Sequence, residues 1–286
     1  MIECGTCAFA DHQQFYPKRL QPHERLGFYA KQFSLVEIDS TYYALPKQEY
    51  VKRWTEQTPS NFTFNVKVHN TMTLHDRSLA DFYDKKAVFH DFMAVIEPLI
   101  AANKLGAIHF SFPPWFRKTS EHLAYIVAAR QFFGNFPVAI EFRHQSWFQD
   151  DEAMDTLNFL RDLCAIHVVV DEPQVTASCV PFIPAVTDTR LSIVRLHGRN
   201  QETWMQPGLA TSGERFNYLY SRSEIYEIAE VAEALHEEAQ SVHILMNNNY
   251  RNYAIQNAMM MKKRIIPTKL NDSMTNWFAQ QETFDF

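Results

Sequence analysis

The sequence predicts an α/β protein that folds as a single-domain (β/α)8 barrel of the TIM type. Eight short apolar runs alternate along the chain with segments of helical periodicity. The runs are apolar throughout, as strands are when helices cover both faces of a parallel sheet. Charged residues recur at the ends of most runs, which is typical of the C-terminal rim of a barrel.

An open, doubly wound sheet is the main alternative. It is disfavoured because no Gly-x-Gly-x-x-Gly motif follows the first strand. The charged residues are also spread over most strand ends, whereas an open sheet gathers them at one switch point. We expect one domain over residues 1–286, with a polar tail at residues 267–286 that packs on or beyond the barrel.

Each predicted strand is a short apolar run between turn residues or charged residues. The predicted strands span residues 2–6, 35–39, 62–68, 107–112, 138–142 and 165–171, a segment that begins at residue 191, and residues 242–246. A long connection that contains three prolines precedes the seventh strand.

Each predicted helix carries a stripe of apolar residues at helical spacing. The predicted helices span residues 22–33, a segment that begins at Pro46, and residues 85–103, 120–133, 150–163, 223–239 and 250–264. Proline begins the first two, where its fixed φ suits a first turn, and Pro98 is expected to kink the third. Thr119 or Ser120 caps the fourth, and acidic residues in the first turn of the fifth suit the helix dipole.

The composition is that of a soluble globular protein. The chain has 286 residues, of which 46% are hydrophobic and 21% charged, and a net charge of −6. This charge argues against a broad nucleic-acid surface but leaves room for a local basic pocket. No run of about 18 apolar residues and no signal-peptide pattern is present, so we expect a cytoplasmic protein without a membrane span.

Other common site types have no sequence support. The chain contains no P-loop and no Gly-x-Ser-x-Gly motif. Its four cysteines do not indicate a disulfide scaffold in a chain of this length. Cys4 and Cys7 form a lone C-x-x-C pair, which we interpret as packing residues because a zinc site would need a second pair.

The seventh predicted strand changes character along one face. Leu191 and Ile193 are followed at the same two-residue spacing by Arg195, His197 and Arg199. Since side chains two apart in a strand share a face, this face begins in a core and ends at a cationic pocket mouth. The alternative is an exposed strand end with solvated charges.

Polar residues at the ends of the other strands complete a candidate site. Glu37 with Asp39, Lys67 with His69, and Glu141 with Arg143 show the same spacing, and further strands supply His109 and Ser111. The predicted catalytic residues are Glu37, Glu141, Asp171 and His197. The predicted ligand-binding residues are Lys67, His69, Arg143, Arg195, Arg199, Asn247 and Trp204. A closed web of structural ion pairs is the alternative interpretation, because charges inside a barrel must be paired or used.

Several of these residues lie in segments with a family resemblance. The segments 36–46, 141–147, 194–199 and Asn247-Asn248 are similar to the hallmarks of the DUF72 (YecE-like) family. Shorter matches at Gly5-Thr6, Phe15–Pro17, 218–221 and Asn257-Ala258 extend the resemblance over nearly the whole chain. It implies a TIM-barrel-like fold and specifies no reaction. Cys7 and Asn217 depart from the family pattern, and Asn217 replaces a carboxylate that is common there.

The candidate residues favour acid–base or hydrolytic chemistry on a polar anionic ligand that carries a phosphate or a sugar. Arginine and lysine bind such anions, and carboxylates and histidines transfer protons. An enzyme of this kind would be a hydrolase, isomerase or lyase without an organic cofactor. The alternative is a non-catalytic module that binds a nucleotide, a nucleic-acid fragment or a protein partner, with nucleic acid less favoured.

Two further features of the predicted site leave alternatives open. A divalent metal is possible because Glu37, Glu141, Asp171 and His197 are all ligand types, but it is not favoured, since interleaved arginine and lysine would repel the ion. Aromatic residues near the predicted mouth either stack on a sugar or base or pack loops over the rim. These residues are Tyr42, Tyr43, Trp115, Trp147 and Trp204.

Overall fold

The fold is a closed barrel of eight parallel strands in chain order. It is seen in a computed structural model that describes residues 1–75, 82–149, 151–209 and 211–265. The (β/α)8 architecture predicted from the sequence is therefore confirmed. The tail predicted at residues 267–286 lies outside the described residues.

The strands begin and end within a few residues of their predicted bounds. They are β1 (Ile2–Cys7), β2 (Leu35–Ile38), β3 (Thr63–Lys67), β4 (Leu105–Ser111), β5 (Val138–Glu141), β6 (Ile166–Asp171), β7 (Ser192–Leu196) and β8 (Val242–Met246). β8 closes the barrel by pairing in parallel with both β1 and β7.

Seven α-helices surround the barrel in the described ranges. They are α1 (Arg25–Tyr29), α2 (Gln48–Gln57), α3 (Phe82–Ala101), α4 (Ser120–Phe132), α5 (Glu152–Asp162), α6 (Arg222–Glu238) and α7 (Tyr253–Ile265). α4 is capped by Thr119, whose side chain accepts a hydrogen bond from the His122 amide. The first predicted helix was too long, since Pro22–Glu24 form a 3-10 turn and the α-helix ends at Tyr29.

The strand register decides which side chains enter the barrel. Glu37 lies beside Cys7 of β1 and Asn65 of β3, and Ser111 lies beside Glu141. Neighbours in a parallel sheet point to the same face, so these side chains and their partners two residues away line the interior. On β6 the same reasoning selects Val168 and Val170, which lie beside Ile193 and Arg195. Asp171 therefore points away from the interior, and the next residue, Glu172, follows the interior face.

Aromatic side chains fill the layer between the strands and the helices. Phe110 of β4 packs against Phe89 of α3 and Phe133 at the end of α4. Trp147 is fully buried, stacks on Phe142 with 3.9 Å between ring centroids, and donates its indole N–H to a backbone carbonyl. Trp147 is thus part of the core, where no ligand reaches it.

None of the helices in the described ranges has the length and hydropathy of a membrane span.

Gly5 is required because the backbone of β2 lies where a side chain at this position would begin. A Cβ at Gly5 would lie 2.0 Å from the carbonyl oxygen of Leu35, and a backbone atom in a closed barrel cannot move aside. We expect Gly5→Ala to lower the free energy of unfolding by about 2–3 kcal/mol through overpacking, measured by urea denaturation.

Gly27 provides the matched control for this substitution. It lies within α1, and a Cβ there would meet its nearest neighbour at an ordinary 3.6 Å. Gly27→Ala should raise the free energy of unfolding by up to about 1 kcal/mol because alanine favours helix. Equal stability of the two variants would contradict the strand geometry described.

Candidate functional site at the C-terminal mouth of the barrel

The centre of the site is the guanidinium group of Arg195, which is 2% exposed. Its Nε and Nη2 donate to Glu37 Oε1 at 3.0 and 2.8 Å, and its Nη1 donates to Glu141 Oε2 at 3.0 Å. β2, β5 and β7 are therefore joined across the barrel interior by one side chain. A buried charge of this kind is tolerated only with close, hydrogen-bonded partners.

His109 of β4 closes the arrangement from the other side. Its Nδ1 lies 2.8 Å from Glu37 Oε2 and its Nε2 lies 3.2 Å from Glu141 Oε2. Burial alone would lower the pKa of His109, but the charges and hydrogen bonds of Glu37 and Glu141 raise it above its ordinary value. The result is a ring of two carboxylates, one guanidinium and one imidazole. We call it the central ring, and its members are Glu37, His109, Glu141 and Arg195.

The central ring keeps both of its carboxylates ionised. Burial would raise the pKa of Glu37 and of Glu141, but the charge of Arg195, aided at Glu37 by His109 and at Glu141 by His197, holds each pKa well below its ordinary value. Neither group therefore exchanges a proton readily near neutral pH. Their role in this geometry is to fix charge in place.

His197 is a neutral ring beside the central ring. Burial lowers its pKa to about 3 in spite of Glu141 nearby. The side-chain amide nitrogen of Asn247 lies 2.7 Å from Nδ1, so Nδ1 accepts a hydrogen bond. Nε2 then carries the proton and faces Glu141 Oε1 at 3.3 Å.

Asp39 is the carboxyl group of this cluster that opens to the mouth. Its side chain is 24% exposed and lies 3.8 Å from Arg195 Nη2. It also lies within 4.8 Å of ligand atoms of Glu37 and Cys7. Burial, followed by the negative charge of Glu37, raises the pKa of Asp39 to about 7. Asp39 thus exchanges its proton in the physiological range, which Glu37 does not.

Lys67 and His75 lie at the mouth on the side of β3. Lys67 Nζ lies 4.7 Å from the centre of the Tyr42 ring, and its charge acts on both Asp39 and His75. Burial, then the charges of Lys67 and Arg143, lower the pKa of His75 to about 4. Lys67 therefore places positive charge near both the Asp39 carboxyl and the neutral His75 imidazole.

Arg143 reaches the mouth from just after the end of β5. Its guanidinium carbon is 5.4 Å from the centre of the Trp204 ring, and Trp204 in turn packs edge-on against His197. Glu141 and Glu172 are the carboxylates near Arg143, at 3.5 and 3.1 Å. Trp204 is 5% exposed, so it packs against Arg143 from the protein side and leaves the other side of the guanidinium free of the indole ring.

Asp171 and Arg199 belong to a separate network on the outer side of β6 and β7. Arg199 grips Asp171 with two parallel hydrogen bonds, Nε to Oδ1 at 3.0 Å and Nη2 to Oδ2 at 2.7 Å. Tyr220 donates to the same carboxylate at 2.7 Å, and Arg199 also reaches Glu224 at the start of α6. All these groups are matched within the protein, so the network anchors α6 to the barrel.

The structure thus brings together seven of the residues predicted for the site: Glu37, Lys67, Glu141, Arg143, Arg195, His197 and Asn247. Trp204 backs this group. Asp171 and Arg199 lie in the outer network. His69 caps a 3-10 turn, where its Nδ1 accepts from the Thr71 amide, so its ring is committed to the loop.

Four residues near the centre are not among the predicted catalytic or ligand-binding residues: Asp39, His75, His109 and Glu172. Asp39 and His109 were recognised as strand-end residues, but only the contacts distinguish an exchanging carboxyl from a locked one. Glu172 continues the two-residue alternation of Val168 and Val170. This alternation indicates an inward-facing side chain only once the register of β6 with β7 is known.

In the described ranges, the side chains whose ligand atoms lie close enough to hold a metal ion together are not the predicted set. They are Cys7, Glu37 and Asp39, whose ligand atoms all lie within 4.8 Å of one another. Burial raises the pKa of the Cys7 thiol well above its ordinary value, and Arg195 already donates to Glu37. A thiol that holds its proton and a guanidinium beside it make this group a poor place for a cation.

These features define the class of the protein: a (β/α)8 barrel with a polar, charged site at its C-terminal mouth. Over residues 3–278 the sequence matches the family described as "Protein of unknown function DUF72". The chain belongs to this family.

Related proteins match the chain over most of its length. The UPF0759 protein YunF of Bacillus subtilis is 34% identical over 263 residues, which are 91% of this chain and 93% of YunF. A DUF72 family protein of Enterococcus faecalis with a crystal structure is 33% identical, covers 92% of this chain and 95% of its own, and superposes with a TM-score of 0.85. A DUF72 family protein of Thermotoga maritima is 31% identical, with 92% and 98% coverage and a TM-score of 0.80.

The central ring should dominate the acid sensitivity of the fold. Glu37→Gln leaves Arg195 and His109 with one carboxylate between them, so we expect the free energy of unfolding at pH 7 to fall by about 3–5 kcal/mol. Because the pKa of Glu37 is lowered in the folded state, its contribution is present above the ordinary glutamate pKa of 4.5 and is lost as the pH falls below it. The gap between wild type and variant should therefore narrow in acid, measured by urea denaturation from pH 7 to pH 3.

Glu233→Gln is the matched control for this measurement. Glu233 pairs with Arg264 on the surface, where its side chain is 45% exposed, and such pairs contribute at most about 1 kcal/mol. If Glu37→Gln lowers the free energy of unfolding no more than Glu233→Gln does, the central ring does not stabilise the barrel.

Proposed function

We propose that the protein is an enzyme that carries out acid–base chemistry on a polar, anionic small molecule at the mouth of the barrel. The observation that carries the proposal is the contrast between Asp39 and its neighbours. Asp39 titrates near pH 7 and is partly open to solvent, while Glu37 and Glu141 are buried and locked in their ionised form. A general acid or base works best when its pKa lies near the working pH.

The ionised Glu37 adds to burial in raising the pKa of Asp39. A second carboxylate beside an ionised one resists ionisation, and Glu37 is kept ionised by Arg195 and His109. The central ring therefore tunes Asp39 without taking part in proton exchange. This is a common use of buried ion pairs at catalytic sites.

The cations at the mouth set the charge of the ligand. Lys67 and Arg143 reach the mouth from β3 and β5, each against an aromatic ring. Arginine and lysine in this position bind carboxylate or phosphate groups. A ligand held by them would present its polar, proton-bearing carbon or oxygen to Asp39.

The set of groups favours proton transfer over nucleophilic hydrolysis. Burial raises the pKa of the Cys7 thiol well above its ordinary value, so Cys7 is not a thiolate nucleophile. Ser111 donates a hydrogen bond to Glu141 at 3.1 Å. Arg195 and His197 keep the pKa of Glu141 well below its ordinary value, so Glu141 is too weak a base to activate Ser111 as a nucleophile. We therefore place isomerisation or elimination ahead of hydrolysis as the reaction class.

The test is a screen of sugar phosphates, phosphoesters and sugar acids for turnover by the purified protein. We expect wild type to convert at least one of these classes, with a limb at or above pH 7 in the pH profile of kcat, where the ligand is already bound. Asp39→Asn should lower kcat by about 10²–10⁴-fold, the usual contribution of a general acid or base, and should abolish that limb.

Asp155→Asn is the matched control, since Asp155 is an exposed residue of α5 outside the barrel, and it should retain full activity. Unchanged kcat in Asp39→Asn would contradict the assignment of the proton-transfer group. Binding of these anions without turnover at any pH would contradict the enzyme proposal and identify a binding module.

A further inference from the structure

Arg143 is held less tightly than the other arginines of the site. Its distances to Glu141 and Glu172 are 3.5 and 3.1 Å, but its buried Nε and the buried Oε2 of Glu172 have no hydrogen-bond partner in the described ranges. Arg195 and Arg199, by contrast, make two or more aligned hydrogen bonds to carboxylates. An unsatisfied guanidinium at a solvent-accessible mouth is suited to a further, better-aligned anion.

Glu172 depends on Arg143 for its counter-charge. Its side chain is fully buried, and its other oxygen accepts a hydrogen bond from the Val180 amide at 2.8 Å. The charged groups that face Glu172 are Arg143 on one side and the carboxylates of Glu141 and Asp171 on the other. An ionised Glu172 that shares Arg143 with another anion would be a buried and poorly compensated charge, which is costly.

We propose that an anionic ligand takes Arg143 over from Glu172, and that Glu172 binds a proton when this happens. In the free protein the Glu172 carboxylate pairs with the Arg143 guanidinium. In the complex the guanidinium pairs with the ligand and Glu172 is a neutral carboxylic acid, so one anion and one proton enter together. This inference rests on the proposed function and adds to it the residue that couples binding to pH.

The free-state chemistry of Glu172 agrees with this exchange. Burial, partly offset by Arg143, raises the pKa of Glu172 to about 7, so only a modest further rise is needed for protonation. Glu141 cannot take the proton because Arg195 and His197 hold its pKa well below the ordinary value. His75 and His197, which also face Arg143, titrate near pH 4 and 3 and stay neutral above pH 6.

Asp39 has a pKa in the same range as Glu172, so its own titration has to be eliminated by substitution before the effect of Glu172 can be measured. Asp39 faces Lys67, Arg195 and Glu37, and a bound anion would raise its pKa as well. The comparison is therefore made between Asp39→Asn and the double variant Asp39→Asn with Glu172→Gln. His109 faces Glu37 and Glu141 in both proteins, so any contribution from His109 cancels.

The probe is sulfate, which does not titrate between pH 6 and pH 9, and its affinity is measured by calorimetry at constant ionic strength. For Asp39→Asn the dissociation constant should rise above pH 7, by up to about tenfold per pH unit for one coupled proton. For the double variant it should be independent of pH. Arg143→Gln should lose sulfate binding, while Arg264→Gln, a surface control, should bind as wild type does.

The outcomes separate this inference from the proposed function. Binding at the mouth with the same pH dependence in both proteins, or with none in either, overturns the partner exchange and leaves the anion site standing. Binding that Arg143→Gln does not affect overturns the exchange as well, because the anion then does not use Arg143. If sulfate fails to bind to wild type, the cationic mouth is not an anion site and the proposed function fails with it.

Discussion

The site depends on a single buried guanidinium. Arg195 bonds to carboxylates on two other strands from a position that is almost wholly removed from water. Desolvation of an ion is expensive, so this arrangement persists only because Glu37 and Glu141 pair with Arg195 and His109 at short range. The same requirement fixes the protonation state of the interior, and that state determines how the groups at the mouth behave.

The charges of the mouth follow from those of the interior. Burial, followed by the negative charge of the ionised Glu37 beside it, raises the pKa of Asp39 to about 7. Glu172 reaches a similar pKa by burial behind Arg143. Two carboxyl groups that exchange protons near neutrality therefore flank a region that also holds Lys67 and Arg143. The outer network is complete within the protein, because Arg199 and Tyr220 together satisfy the Asp171 carboxylate.

Most of the fold could be predicted from the sequence because its causes are local. Apolar runs buried on both faces mark parallel strands, and alternation with helical segments left a barrel as the best architecture. The two-residue spacing on the seventh strand predicted that Arg195 and His197 share the inner face. The ends of β2 and β5 added Glu37 and Glu141 to the same group. These inferences need only the periodicity of a strand.

The limits of the sequence are equally physical. The sequence points to Asp171 at the end of the sixth apolar run, and only the pairing of β6 with β7 shows that the next residue, Glu172, faces inward. Glu37 and Glu141 look like proton-transfer groups in sequence, but their partners lie 158 and 54 residues away. A pKa depends on such distant contacts, so the division between locked and exchanging carboxyls could not be derived from spacing.

A carboxyl titration tests this division most directly. In 13C NMR spectra of the protein labelled at aspartate and glutamate carboxyl carbons, Asp39 should titrate with a pKa near 7, while Glu37 and Glu141 show no titration above pH 4.5. In Glu37→Gln the pKa of Asp39 should fall towards its ordinary value of 3.8, because the charge that opposes its ionisation is gone. An Asp39 that already titrates near 3.8 in the wild type would contradict the account, since the central ring would then confer no acid–base function on the mouth.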